Sequence, residues 1–502
     1  MHFLKPRPGS PARILRILLL AGAALYPVIY VCLASYRLRY PFELEWMEGG
    51  GLEQVRRLVA GEAMYARPSL AYVPFIYPPL YYDTAAVASR LMGEAGFLPL
   101  RFVSFLSSLA CFLLIFRIVL RQTGDSTAAF LSSALFAATF RAGGAWLDVA
   151  RVDSMFLALF LAAVAVIASG LTYPRCLAAG ALFSFSALTK QTALVMCAPV
   201  IVRLLWKSRS RALTLVASMA LILGGTILWQ DHATGGWFSY YVLLLPGQHA
   251  WSRDVLLSFW FRDLLSTLPI VLLMTIFAFL PVLAPHRRFA ASFWVAVTTG
   301  IFTGSYLMRI FEGGYDNVLL PALAILSVLF GFSLNTIGEW LAGLRPEWRR
   351  SGEAFVSVAC LVQFGFPGLL YDPRLQLPTR ADLMAGRKLV RMIQDATGEV
   401  FIPAHPYLVA LAGKTPSATE MALQEVQRSH TPEKEAVERE IAEALRSRRY
   451  DLILLDGNSG FLPEFDRYYV EQARILQGKE FYPVTGAKRR PEVLCVPRRD
   501  GG

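Results

Sequence analysis

Apolar stretches close to 20 residues long recur along this chain, separated by short connections that carry Lys and Arg. That spacing constrains the fold most. About 20 consecutive apolar residues cross a bilayer as a helix, and backbone inside lipid must satisfy its own hydrogen bonds. Eleven segments qualify as candidates: about 14–35, 99–120, 126–140, 154–171, 176–188, 192–206, 212–229, 264–284, 290–307, 318–337 and 354–370. Those at 176–188 and 192–206 are short and read as a tight hairpin. With 17% of its residues charged, against about 25% in soluble domains, the chain is read as a polytopic membrane protein.

Positive charge sets the expected orientation. Lys5, Arg7, Arg13 and Arg16 precede the first span. Arg117 with Arg121, then Arg175, Arg203 with Lys207, Arg209 and Arg211, Arg287 with Arg288, and Arg345 with Arg349 and Arg350 fall in alternate connections. All share one side if the N-terminus is cytoplasmic and the first span is uncleaved. The net charge of +12 is therefore read as topology rather than as nucleic-acid binding. Counting 77–92 as a span would break the alternation. It is placed instead as a helix on the outer surface, entered at Pro78-Pro79. Six cysteines without a Cys-x-x-Cys pair suggest neither a disulfide framework nor a zinc site.

The outer side then collects the unusual residues. Loop 36–98 opens with Phe-Glu-Leu-Glu-Trp-Met-Glu-Gly-Gly-Gly at 42–51, placing Glu43, Glu45 and Glu48 at the mouth of the first span. Intramembrane-edge carboxylates are costly unless they face water or a partner, and the glycine run permits close backbone approach. Other outer connections hold Asp148, Arg151 and Asp153; Lys190 and Gln191; an aromatic stretch over 231–263; and Arg309, Glu312, Tyr315, Asp316 and Asn317. From 372 to 502 the chain turns polar. Strands are expected at 399–403, 450–456 and 492–496, and helices at 416–429 and 432–449, giving a small α/β domain. His405 is read as structural.

No G-x-x-x-x-G-K-[ST] or strand-linked G-x-G-x-x-G occurs, so the common nucleotide cradles are missing. A first-loop glutamate could take a proton from an attacking hydroxyl, although acidic residues opening a helix are equally at home there. Asp148, Arg151 and Asp153 suit substrate contact or a helix-end salt bridge. Lys190 and Arg309 suit a phosphate, or a snorkelling lysine and an internal ion pair.

These motifs resemble the superfamily C polytopic glycosyltransferases, which include the protein O-mannosyltransferases and the aminoarabinose transferase of lipid A. The resemblance covers about the first 370 residues. It rests on the first-loop acidic motif, Tyr77-Pro78-Pro79-Leu80-Tyr81-Tyr82, Ala150-Arg151-Val152-Asp153 and Leu188-Thr189-Lys190-Gln191, with Glu where many members have Asp. The resemblance implies a polyprenyl- or dolichyl-phosphate sugar donor, Glu45 as favoured base with Glu43 and Glu48 as alternatives, Asp153 as second acid and Lys190 as phosphate partner. Expected substrate contacts are Asp148, Arg151, Asp153, Lys190, Gln191, Arg309, Glu312, Asp316, Asn317, Tyr77 and Tyr81. The expected fold is an α-helical polytopic membrane protein of about eleven transmembrane helices over 1–371, with a C-terminal α/β periplasmic domain over 372–502. The expected setting is a bacterial inner membrane, with a glycan, lipid or protein as acceptor and no nucleic acid. No cofactor is required, the variant being a divalent Mg or Mn ion on Glu43, Glu45 and Asp153. A lipid-linked glycan flippase and a non-catalytic scaffold are the rival readings.

Overall fold

The computed structural model describes residues 11–248, 250–252, 255–280, 288–457 and 459–498. Lys5, Arg7 and Arg287 of the orientation pattern lie outside them. The chain runs α1 (Pro11–Arg37), α2 (Glu48–Val59), α3 (Leu80–Met92), α4 (Phe97–Thr123), α5 (Ser126–Ala138), α6 (Asp153–Ala168), α7 (Tyr173–Ala187), α8 (Thr192–Lys207) and α9 (Arg209–Thr234). Then follow α10 (Pro269–Phe279), α11 (Arg288–Ile310), α12 (Leu320–Ala342) and α13 (Pro346–Phe364). A helix falls in each of the eleven apolar segments, and α3 occupies the stretch expected to be helical at 77–92.

Their lengths differ from the expected set of full spans. Four helical stretches among the described residues are long and apolar enough to cross a membrane: Arg13–Arg37, Phe97–Thr123, Arg209–Thr234 and Asp316–Ala342. A fifth arises if Phe259–Leu265 and Pro269–Phe279 count as one span bent by 99°. Within the segment expected at 264–284, Pro269 lacks an N–H and opens a new helix, and residues 281–284 lie outside those described. Helices of 13 residues such as α5 reach about 20 Å, short of a roughly 30 Å hydrocarbon layer.

Two cores organise the molecule. One lies inside the bundle, where α12 is buried along most of its length. The other joins the first long loop to the tail, mixing Phe42, Leu52, Val55 and Phe75 with Tyr407, Leu423, Ile453 and Phe481. The tail contains α14 (Arg380–Asp395), α15 (Glu420–Gln427), α16 (Pro432–Arg446), β1 (Glu399–Phe401), β2 (Tyr450–Leu455), β3 (Tyr469–Arg474) and β4 (Val493–Pro497). Its sheet has the order β1-β2-β4-β3, parallel only between β1 and β2. The expected helix at 416–429 is shorter, because Thr419 caps it. Two elements escaped the sequence reading. Helix α14 begins with a Thr379–Asp382 capping box, a legible signal. Strand β3 is an exposed edge with little apolar alternation.

The glycine run seals the second core. A Cβ on Gly49 would collide with Glu43 and the Tyr407 ring, and one on Gly50 with Phe75 and Thr419. The first turn of α2 is thus pressed against the tail.

Candidate active site

The three first-loop glutamates are all buried, and the fold gives each a different partner. Glu48 opens α2 and meets Arg101 of α4 in a fork, Nε to Oε1 at 2.9 Å and Nη2 to Oε2 at 2.6 Å. The amides of Leu44 and Ala150 also donate to it, each at 2.6 Å. Burial pushes this carboxyl up, but Arg101 and the two amides outweigh it and hold the carboxyl below its usual range. Donors occupy both of its oxygens.

Glu43 accepts from the Gly49 amide at 3.0 Å, and its other oxygen lies 2.5 Å from His405 Nδ1. Burial raises the carboxyl well above its ordinary value and lowers the imidazole to about 4. Both shifts favour neutral forms. His405, read from the sequence as a lone structural residue, is one of the tail's contacts with the acidic loop.

Glu45 is the exception. It is 0% exposed, Arg151 Nη1 stands 3.5 Å from Oε2, and Oε1 has no hydrogen-bond partner. Burial drives its pKa up to about 8, with the Arg151 cation opposing and Glu48 and Glu43 adding to the rise. The indole N–H groups of Trp46 and Trp146 are likewise buried without partners. The tail supplies one wall: Thr485 donates its amide to Leu44 O at 3.0 Å, and a Cβ on Gly486 would lie 3.0 Å from Glu45 Oε1 and 3.3 Å from the Trp146 ring. Tyr315 stacks on Trp146 at 6.4 Å. Trp146, Thr485 and Gly486 were not singled out from the sequence, since only folding brings the tail to the first loop.

Around this centre, Arg151 also donates to the Tyr77 hydroxyl at 3.2 Å. Asp153 receives Lys190 Nζ at 2.6 Å and Asn317 Nδ2 at 3.0 Å, leaving Oδ2 without a partner. Arg309 forks onto Asp263 at 2.8 and 3.1 Å and reaches Asp316 at 3.2 Å. Asp316 and Asn317 are neighbours, so one turn of chain links the Arg309 and Lys190 clusters. Arg309 borders a cavity of about 330 Å³ that also exposes Arg262, Asp263 and Thr267.

Other expected contacts are placed elsewhere. Tyr81 is buried, bonded to Leu100 O and Ser104. Asp148 pairs with Arg37 at 3.1 Å, both buried. Gln191 donates to the carbonyls of Ile76 and Val242. Glu312 is half exposed, facing Arg428 at 3.7 Å. Glu43, Glu45 and Asp153 do not converge. Among the described residues no three His, Cys, Asp or Glu side chains form a group that could hold a metal ion. The donor set does not fit a divalent ion in this conformation.

Helices gathered round a buried core, an acidic first loop and a tail packed over that loop make up the architecture that surrounds this centre. Residues 77–229 match the family model of dolichyl-phosphate-mannose-protein mannosyltransferases. That segment, under a third of the chain, includes Tyr77, Arg151, Asp153 and Lys190 but not Glu45. No curated protein matches in sequence. In structure, the chain is similar to ArnT from Cupriavidus metallidurans bound to undecaprenyl phosphate, with 12% identity, a TM-score of 0.59, and 97% of this chain and 98% of that one covered. It is also similar to the Archaeoglobus fulgidus oligosaccharyltransferase in its apo form, with 11% identity, a TM-score of 0.53, and 87% of this chain and 69% of that one covered. At these identities the likeness is one of fold.

Proposed function

We propose that this protein transfers a sugar from a polyprenyl-phosphate carrier to an acceptor hydroxyl on the outer face of the membrane, with Glu45 as general base. The observation that carries the reading is the Glu45 carboxyl, buried with one oxygen unpartnered among polar groups that themselves lack partners. The ArnT structure holding undecaprenyl phosphate on the same fold supports the donor class. The mannosyltransferase family match supports sugar transfer.

In this reading Glu45 takes the acceptor proton as the acceptor oxygen bonds to the anomeric carbon. The bond from that carbon to the phosphate oxygen breaks, and polyprenyl phosphate leaves with the electron pair. A single displacement inverts the anomeric centre. Cations at Arg309 and Lys190 offset the charge that develops on the leaving phosphate, the open cavity beside Arg309 giving it room. Residues 1–371 would form the membrane enzyme, all eleven apolar segments crossing or re-entering a bacterial inner membrane from a cytoplasmic N-terminus. Residues 372–502 would then lie on the periplasmic side and complete the site.

Co-purified lipid tests the reading. The protein is purified in mild detergent and bound lipid identified by mass spectrometry. A polyprenyl-phosphate sugar retained by Glu45→Gln and lost from Lys190→Ala and Arg309→Gln is the expected result. Undecorated phospholipid alone, indifferent to all three substitutions, would point to the flippase or scaffold.

The pH profile gives a second check. A base works as the carboxylate, so kcat/KM should rise with pH and level off above about 8, where Glu45 is ionised. Arg151 lowers that pKa, so Arg151→Gln should move the limb to higher pH. A limb unmoved by Arg151→Gln would detach Glu45 from the rate.

A further inference from the structure

Between α15 and α16 the tail opens a groove of about 940 Å³, within the roughly 300–1,000 Å³ typical of ligand sites. It is separate from the Glu45 centre. Gln424, Gln427 and Arg428 face it from α15 and its C-terminal end, Glu435, Glu438 and Arg439 from α16, and Phe461 from the loop after β2. Positions three and four apart on each helix turn these groups to one side.

The groove adjoins the outer loops of the membrane portion. Arg428 faces Glu312 at 3.7 Å, the His430 amide donates to Gln248 at 2.8 Å, and the Thr431 and Tyr240 hydroxyls meet at 2.9 Å. A polar path also leads inward. Gln424 bonds Glu420 at 2.9 Å, Glu420 pairs with Arg489 at 2.6 Å, and the Arg489 guanidinium lies 4.9 Å from the centre of the Trp46 ring, next to Glu45 in the chain.

We propose that this groove holds the acceptor, as a neutral oligosaccharide chain; this rests on the transferase reading above. Two arginines and two glutamates balance, so the lining selects neither a polyanion nor a polycation. Amides, carboxylates and guanidinium groups together offer the donors and acceptors that adjacent hydroxyls require. The half-buried Phe461 ring offers a flat apolar face for the C–H side of a pyranose. A protein partner would need the buried aromatic and apolar anchors of a hot spot, and one phenyl ring with Ala442 and Pro463 beside six polar side chains does not supply them.

The test is direct binding by the full-length protein, in a detergent without a sugar headgroup, using saturation-transfer NMR. The probes are short neutral gluco-oligosaccharides, a heparin-derived oligosaccharide and an acidic peptide. Saturation transfer to the neutral probe is expected, weakened about tenfold in Phe461→Ala by loss of one stacking ring and also weakened in the surface variant Glu438→Gln. Failure of the neutral probe to bind, equal binding by wild type and both variants, or preference for either charged probe would overturn the proposal. The reading beneath it fails separately: a Glu45→Gln protein that still transfers sugar would remove the reaction, whatever the groove binds.

Discussion

Glu45→Gln is expected to lower sugar transfer by about 10²–10⁴-fold, the usual contribution of a positioned general base, while fold and donor binding persist. The amide is nearly isosteric with the acid and cannot accept the acceptor proton. Removing the carboxylate deletes one weak 3.5 Å ion pair with Arg151, which keeps Tyr77 as a partner. The comparison to make is turnover against thermal melting and bound lipid for the same preparation. Full activity in Glu45→Gln would eliminate Glu45 as the base. Lost activity with lost folding would make Glu45 structural. Glu43→Gln, by contrast, should retain much of the turnover, because Glu43 is already turned to His405 and the Gly49 amide.

The opposite pattern is expected at Glu48, five residues after Glu43, no less buried and saturated with donors. Glu48→Ala leaves Arg101 in the interior without its anion. Breaking a buried pair this way costs about 3–5 kcal/mol, so the variant should express poorly and melt well below wild type. Replacing both partners, Glu48→Ala with Arg101→Met, should recover part of the loss, since the uncompensated charge is gone. A thermal-melting cycle across the two single variants and the double measures this. A Glu48→Ala protein as stable as wild type but inactive would return Glu48 to the list of candidate bases.

The contrast shows where sequence reasoning stops. Glu43, Glu45 and Glu48 lie within six positions and share one residue type, so local pattern offers no way to rank their chemistry. Their differences come from Arg101 on α4, Arg151 before α6 and His405 in the tail, brought together from distant parts of the chain. Tyr81 shows the converse. Its motif drew attention as a substrate contact, yet its hydroxyl is spent on Leu100 and Ser104. Lys190 and Arg309 were legible because a cation set at the end of an apolar segment is conspicuous. Asp263, which binds Arg309 at 2.8 Å, was hidden within an aromatic stretch.

By itself the sequence determined the membrane class, the helix in each apolar segment, the helix after Pro79 and the polar α/β tail. Hydrophobic length and backbone self-satisfaction are local properties, readable one segment at a time. Only the tertiary structure decided which helices are long enough to span, that the tail shares a core with the first loop, and which glutamate keeps an oxygen free. Those outcomes depend on burial and on the charge that stands opposite, and neither exists until residues far apart in the chain are packed against one another.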